Sequence, residues 1–208
     1  MIECMTVGDM IPTNAFFYID DATQHGFLID AGSDGELLAE HAEMRGWTIE
    51  RLLLTHCHFD HIGGAEEFSV HAGAPIYAAE DSSRYYGDPN WNLSLWSGGA
   101  VTLTDVRTFA DRETIALAAN PDFSLEVRYT PGHTTDSCIF YSARDGVAFV
   151  GDTIFLASVG RTDFPGGDDR TLWDSIVREV FTLPEETILY SGHTEPTTVG
   201  AEMARYRR

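Results

Sequence analysis

The sequence is poor in cysteine and in positive charge, and it has no long uninterrupted apolar run. Three cysteines (Cys4, Cys57 and Cys138) in 208 residues cannot build a disulfide framework. Their odd number and wide spacing suit a reducing compartment. Lys and Arg together number 13 against 33 Asp and Glu, for a formal net charge of −20. Phosphate backbones and anionic lipid would repel such a surface, which argues against nucleic-acid and membrane partners. No segment approaches the roughly 20 apolar residues of a membrane-spanning helix, and Met1–Gly8 carries no basic leader region. The reading from these absences is a soluble, cytoplasmic protein.

What remains is an ordinary globular mixture, 43% hydrophobic and 22% charged, which excludes a disordered or fibrous chain. The length suits one domain over 1–208, with about 70% of the unfolded surface buried on folding. Apolar-rich segments broken by turn residues predict strands over Ile2–Val7, Asn14–Ile19, Gly26–Asp30, Arg51–Thr55, Pro75–Ala78, Thr114–Ala118, Phe123–Tyr129, Ser137–Ser142, Val147–Val150 and Thr187–Tyr190. Helices are predicted over roughly 35–45, with Leu37, Leu38 and Met44 on one face, over Gly63–Val70, and over Arg170–Val180, with Leu172, Ile176, Val177 and Val180 inward. Residues 84–100, rich in Tyr, Trp, Gly and Asn, read as a long excursion, either a lid or a packed loop. Glu202–Arg208 reads as a basic-ended tail. Strands closed by helices in each half predict an α/β fold with two sheets inside helical layers.

The chemistry concentrates in Thr55-His56-Cys57-His58-Phe59-Asp60-His61, four metal-capable side chains directly after an apolar run. His56 and His58 are two apart, so an extended segment projects both rings to one side, where they can grip one cation. A turn toward helix then brings Asp60 and His61 into the same space, able to hold a second. Three later residues recur in one pattern, an apolar strand, a glycine, then a ligand: His133 after Gly132, Asp152 after Gly151 and His193 after Gly192. Five imidazoles and two carboxylates without thiolate suit two divalent metal ions, zinc foremost, with iron or manganese also compatible. Cys57 faces away from the ligands by strand alternation and reads as a small buried residue. His25, His41 and His71 lack this context and read as surface or structural.

These positions resemble the metallo-β-lactamase fold superfamily, whose signature is a His-x-His-x-Asp-His run with later His, Asp and His ligands. The stretches Thr55–Gly64, Thr130–Thr135, Gly151–Phe155, Val159–Gly167 and Ser191–Gly200 are similar to its glyoxalase II-like (hydroxyacylglutathione hydrolase) branch. The resemblance implies an αββα sandwich of two mixed sheets flanked by helices. It implies a first metal on His56, His58 and His133, a second on Asp60, His61 and His193, and Asp152 bridging. It implies a hydrolase in which a hydroxide shared by two cations attacks a small-molecule thioester, S-lactoylglutathione or a related hydroxyacyl thioester, with Asp60 orienting the nucleophile. Arg161 either holds a substrate carboxylate or braces its own loop against Asp163. Fifteen residues follow His193, so the resemblance implies a chain without the basic C-terminal helical domain of full-length glyoxalase II. A mononuclear iron persulfide dioxygenase using His56, His133 and Asp152, and a lactonase, are the alternatives, with a non-catalytic metal-binding module further off. Antibiotic-hydrolysing relatives are disfavoured, because Asp152 stands where they carry Cys or Ser.

Overall fold

The computed structural model describes residues 1–206; Arg207 and Arg208, the end of the expected tail, lie outside them. The chain falls into two compact units, Met1–Phe109 with Ala116–Phe123, and Ala110–Ile115 with Ser124 to the C-terminal end.

The first unit carries a six-stranded sheet in sequential order: β1 (Ile2–Val7), β2 (Thr13–Ile19), β3 (His25–Ile29), β4 (Thr48–Leu53), β5 (Ile76–Ala79) and β6 (Val106–Phe109). The first two pairings are antiparallel and the last three parallel. Parallel neighbours need crossovers, and helices supply them: α1 (Gly35–Arg45) between β3 and β4, then α2 (Phe59–Ile62) and α3 (Ala65–Ala72) before β5, and the short α4 (Ser83–Gly87) after it. Leu28 lies opposite Phe17 and Leu52, and Leu52 opposite Ile76. The register therefore lays Phe17, Leu28, Leu52 and Ile76 into one core with Leu38 of α1 and Phe68 of α3. Each such side chain contributes roughly 2 kcal/mol by leaving water.

Helix α1 has the predicted bounds but not the predicted face. Its buried residues are Gly35, Leu38, Ala39 and Ala42, whereas Leu37 and Met44 are exposed. The reason is close packing. A Cβ on Gly35 would lie 2.1 Å from the Gly64 carbonyl oxygen and 2.5 Å from the Phe68 nitrogen. Gly35 packs against the start of α3, Leu38, Ala39 and Ala42 share the buried face, and Leu37 and Met44 are left outside.

The 84–100 excursion is a packed loop along its first half. Tyr85, Asn92 and Ser94 are fully buried. The Asn92 amide donates to the carbonyls of Tyr85 (3.0 Å) and Val101 (2.9 Å) and accepts from the Ser94 amide. Trp96, beyond this knot, is 78% exposed.

The second unit holds β7 (Thr114–Ala116), β8 (Ser124–Tyr129), β9 (Cys138–Ser142), β10 (Val147–Gly151), a two-stranded hairpin of β11 (Ile154–Phe155) and β12 (Ser158–Val159), α5 (Asp169–Ser175), β13 (Ile188–Ser191), β14 (Thr197–Thr198) and α6 (Val199–Tyr206). Its six-stranded sheet runs β14-β13-β10-β9-β8-β7, with β10 and β13 parallel and α5 in their crossover. Asp168 caps α5, accepting from the amide and hydroxyl of Thr171, and these bonds hold its carboxyl below the usual range. The helix passes into a π turn over Ile176–Val180. Leu172, Ile176 and Val180 form the buried seam at a spacing of four, while Val177, predicted inward, is exposed beside it.

The expected tail is instead helix α6. Val199 and Met203, one turn apart, are buried, and so is Glu202. Thr198 Oγ1 accepts the Ala201 amide at 3.2 Å and starts the helix. Among the described residues no helix is long and apolar enough to cross a membrane.

Glu50 at the sheet's lower end gives a test of this packing. Burial alone would raise its carboxyl, but the amides of Ala118 (2.6 Å) and Ala119 (3.0 Å) and the His25 ring (2.8 Å) outweigh that and hold it below its ordinary value. A depressed carboxyl stabilises the fold above its unfolded value, and the gain is lost as pH falls through the folded one. Glu50→Gln should cost about 1 kcal/mol at neutral pH, and the urea midpoints of variant and wild type should converge in acid. A gap that stays constant with pH would refute the assignment.

Candidate metal centre

In the first unit the predicted strand over Arg51–Thr55 stops at Leu53, and the cause is a side chain. The Leu54 amide still donates across the sheet to the Tyr77 carbonyl. The next amide, that of Thr55, donates to Asp30 Oδ1 at 2.8 Å. The ladder therefore ends at Thr55, and the chain turns through His56–His58 into α2, whose N-cap is His58.

Asp30 organises this turn. Its Oδ2 accepts from the Thr55 hydroxyl and from His61 Nδ1–H, both at 2.8 Å. Since the Thr55 proton is directed to Asp30, Thr55 Oγ1 accepts from His56 Nδ1–H at 3.3 Å. Both rings are thereby set in the tautomer that leaves Nε2 as a lone-pair donor. His56 Nε2 lies 3.2 Å from His58 Nδ1. Two nitrogens bound to one tetrahedral zinc at about 2.0–2.1 Å lie about 3.3–3.4 Å apart, so this pair already has ligand spacing. His61 Nε2 lies 3.8 Å from Asp60 Oδ2, a second pair facing one space. The turn is held by Ala31, whose amide donates to the His61 carbonyl and whose carbonyl accepts from Gly64. Gly32 makes the approach possible, because a Cβ there would sit 1.8 Å from the Asp60 carbonyl oxygen. Cys57 is buried in the apolar core, as its alternation predicts.

In the second unit Asp152 Oδ2 stands between two imidazoles, 3.6 Å from His133 Nε2 and 3.3 Å from His193 Nε2. His133 Nδ1–H donates to the Arg161 carbonyl at 2.6 Å, which again leaves Nε2 as the lone-pair donor. Of the three glycines that precede ligands, Gly132 (φ +136°) and Gly151 (φ +47°) take left-handed conformations and Gly192 does not. A Cβ on Gly132 would meet the Leu172 nitrogen at 2.2 Å.

Each unit thus gathers its share of the predicted ligands. His56, His58, Asp60 and His61 stand together in one, and His133, Asp152 and His193 in the other. The donor set fits divalent metal: imidazoles, three of them (His56, His61 and His133) with Nδ1 bonded outside the cluster, carboxylates and no thiolate. Arg161 contributes its backbone to His133, while its guanidinium makes a bidentate bond to Asp163 at 2.9 and 2.7 Å and lies over the Phe164 ring. That bond holds the guanidinium above its ordinary value and the Asp163 carboxyl below. His25, His41 and His71 face Glu50, Glu3 and Glu36 instead. Asp30 is the residue that motif reading missed. Its signal was weak but present, a carboxylate closing the apolar run Phe27-Leu28-Ile29. Beside Asp60 opens a cavity of about 300 Å³, lined among others by Met10, Ile11, Phe59, Val101 and Ser97, with no basic side chain in its walls.

Over residues 8–193 the chain matches the family described as the metallo-beta-lactamase superfamily. It is 31% identical to the hydroxyacylglutathione hydrolase GloC of Haemophilus influenzae, over 93% of this chain and 93% of that one. Among solved structures, BLEG-1, a B3 metallo-beta-lactamase, superposes with a TM-score of 0.91 at 33% identity, covering 98% of this chain and 97% of that one. TTHA1623 in a di-iron-bound form superposes at 0.85 and 30% identity, covering 97% and 96%.

Asp30→Asn tests the tautomer argument. An amide turns an N–H toward one of three donors, so His61 or Thr55 loses its acceptor. Competition with a chromophoric chelator should show zinc affinity falling about 10–100-fold while the folded far-ultraviolet spectrum persists. Unchanged affinity would count against the orienting role.

Proposed function

We propose that this chain, which belongs to the metallo-β-lactamase superfamily and has its fold of two mixed β-sheets flanked by helices, is a binuclear metal-dependent thioester hydrolase. In this reading His56, His58 and His133 hold one divalent cation, Asp60, His61 and His193 hold the other, and Asp152 serves both. The observation that carries it is the placement of Asp152 Oδ2 within 3.6 Å of His133 Nε2 and 3.3 Å of His193 Nε2. A carboxylate in that position suits a shared ligand better than a terminal one. Zinc is the metal the nitrogen and oxygen donors favour; the di-iron form of the relative TTHA1623 makes iron the second choice.

Bound divalent cations would supply a nucleophilic water near neutral pH and polarise the substrate carbonyl. The protein's own contribution is placement. Asp60, which lines the cavity, would accept a hydrogen bond from the attacking water and orient it. The rings of His56, His61 and His133 direct their Nδ1 protons to Thr55, Asp30 and Arg161, so these three have none to give a leaving group. A thiolate leaves unprotonated, whereas an amine does not, and this favours thioesters. The likeness to a hydroxyacylglutathione hydrolase supports the same class. The acyl part fits the cavity beside Asp60: apolar walls at Met10, Ile11, Phe59 and Val101, and no basic group to hold an anion, suit a small neutral acyl or hydroxyacyl group.

Metal analysis of purified protein with a panel of S-lactoylglutathione, simpler acyl thioesters, lactones and a β-lactam tests the reading. Two metals per chain and thiol release are expected, and His193→Ala should retain one metal and lose at least about a hundredfold in kcat/KM. One iron with oxygen uptake on a persulfide would replace this reading with the dioxygenase. In the same assay Ile11→Ser should raise KM for butyryl over acetyl thioesters several-fold; equal KM ratios in variant and wild type would mean that the acyl group binds elsewhere.

A further inference from the structure

Glu202 is a carboxylate with no exposed surface, on the helix that follows the loop after His193, and absent from the metal chemistry above. A charge so placed is costly unless its oxygens are bonded, and both are. Oε1 accepts the Thr197 hydroxyl at 2.6 Å, and Oε2 accepts the Ala157 amide at 3.1 Å. Arg205 Nε lies 3.4 Å from Oε1, at the surface end of the pair.

The two accepted donors belong to the two segments that come after Asp152 and His193. Ala157 is the turn of the β11–β12 hairpin and holds φ at +62°, a conformation alanine adopts only under constraint. Four residues separate it from Asp152, and the hairpin returns to that ligand: a Cβ on Gly160 would lie 1.9 Å from the Asp152 carbonyl oxygen and 3.2 Å from His133 Cβ. Thr197 lies in the segment after His193. The same two segments meet once more, where Thr194 Oγ1 accepts the Leu156 amide at 3.1 Å and pairs with Ser191 Oγ at 2.8 Å. The carboxylate on α6 is therefore a clip between the hairpin after Asp152 and the loop after His193, and these carry the two ligands whose atoms stand 3.3 Å apart.

We infer that Glu202 is a positioning residue for the metal centre, acting through Ala157 and Thr197 to set the separation of Asp152 from His193 and hence the affinity of the cation that His193 holds. The inference rests on the binuclear reading proposed for this centre. Gln at this position is isosteric and keeps both contacts only by turning the Thr197 hydroxyl to accept from its N–H2, while its neutral oxygen holds the Ala157 amide more weakly than the carboxylate does.

The test is zinc titration of wild type, Glu202→Gln and Thr197→Val against a chromophoric chelator, with melting of the metal-free proteins and hydrogen exchange at the Ala157 amide. Both variants should bind one zinc as wild type does and the other about tenfold more weakly. Exchange at Ala157 should quicken in Glu202→Gln, and the metal-free melting temperatures should stay within a few degrees. Thr197→Val keeps the helix and its charge, so it answers if Glu202→Gln fails to fold. Equal weakening of both zinc ions, or affinities identical to wild type in the variants that fold, would overturn the inference and leave the hydrolase reading intact. A wild-type protein that takes up no zinc or iron would overturn both.

Discussion

The buried carboxylate of Asp30 is the group on which the first unit's half of the centre depends. Its residue sits at φ +59°, left-handed for a side chain that bears a Cβ, and it is almost wholly removed from water. Both features cost free energy, of order 1 kcal/mol for the backbone and more for the desolvated charge. Three hydrogen bonds of 2.8 Å offset them. One ends the β4 ladder at Thr55, one engages the Thr55 hydroxyl, and one engages His61 Nδ1–H. The same interaction thus decides where the strand stops and which nitrogen each imidazole presents.

The second unit solves the same problem by backbone. His133 is oriented by the Arg161 carbonyl rather than by a carboxylate, and the close approach comes from glycine at 132 and 160. A carboxylate partner makes an imidazole a stronger donor than a carbonyl does. The ring of His61 and the ring of His133 are thus oriented by partners of different kinds, a carboxylate and a backbone carbonyl. The formal net charge of −20 works in the same direction in both units, since an acidic molecule favours cation binding.

The prominence of backbone contacts also accounts for Arg161. Its guanidinium is engaged with Asp163 and Phe164, while its main chain serves a ligand. The residue's place near the chemistry comes from its carbonyl, which any residue would supply. Its side chain is a loop brace that turns the segment toward the capped start of α5.

Strand positions and ligand types were legible in the sequence because both are local. A run such as Leu52-Leu53-Leu54 marks a buried strand by itself, and His56, His58, Asp60 and His61 announce metal chemistry by residue type and spacing. The inward faces of α1 and α5 were less legible. Leu37, Met44 and Val177 satisfy helical periodicity, yet backbone contact at Gly35 and the π turn after Ser175 chose smaller or differently spaced residues. The end of the chain from Glu202 was not legible as helix, because its basic residues carry no apolar periodicity and the buried face of α6 rests on Val199 and Met203. What tertiary structure alone decided is the orientation of the donors. Asp30 reaches His61 across 31 residues, Arg161 reaches His133 across 28, and Glu202 reaches Ala157 across 45. No local pattern encodes such pairings, because a hydrogen bond between distant segments exists only once each sheet has gathered its own loops.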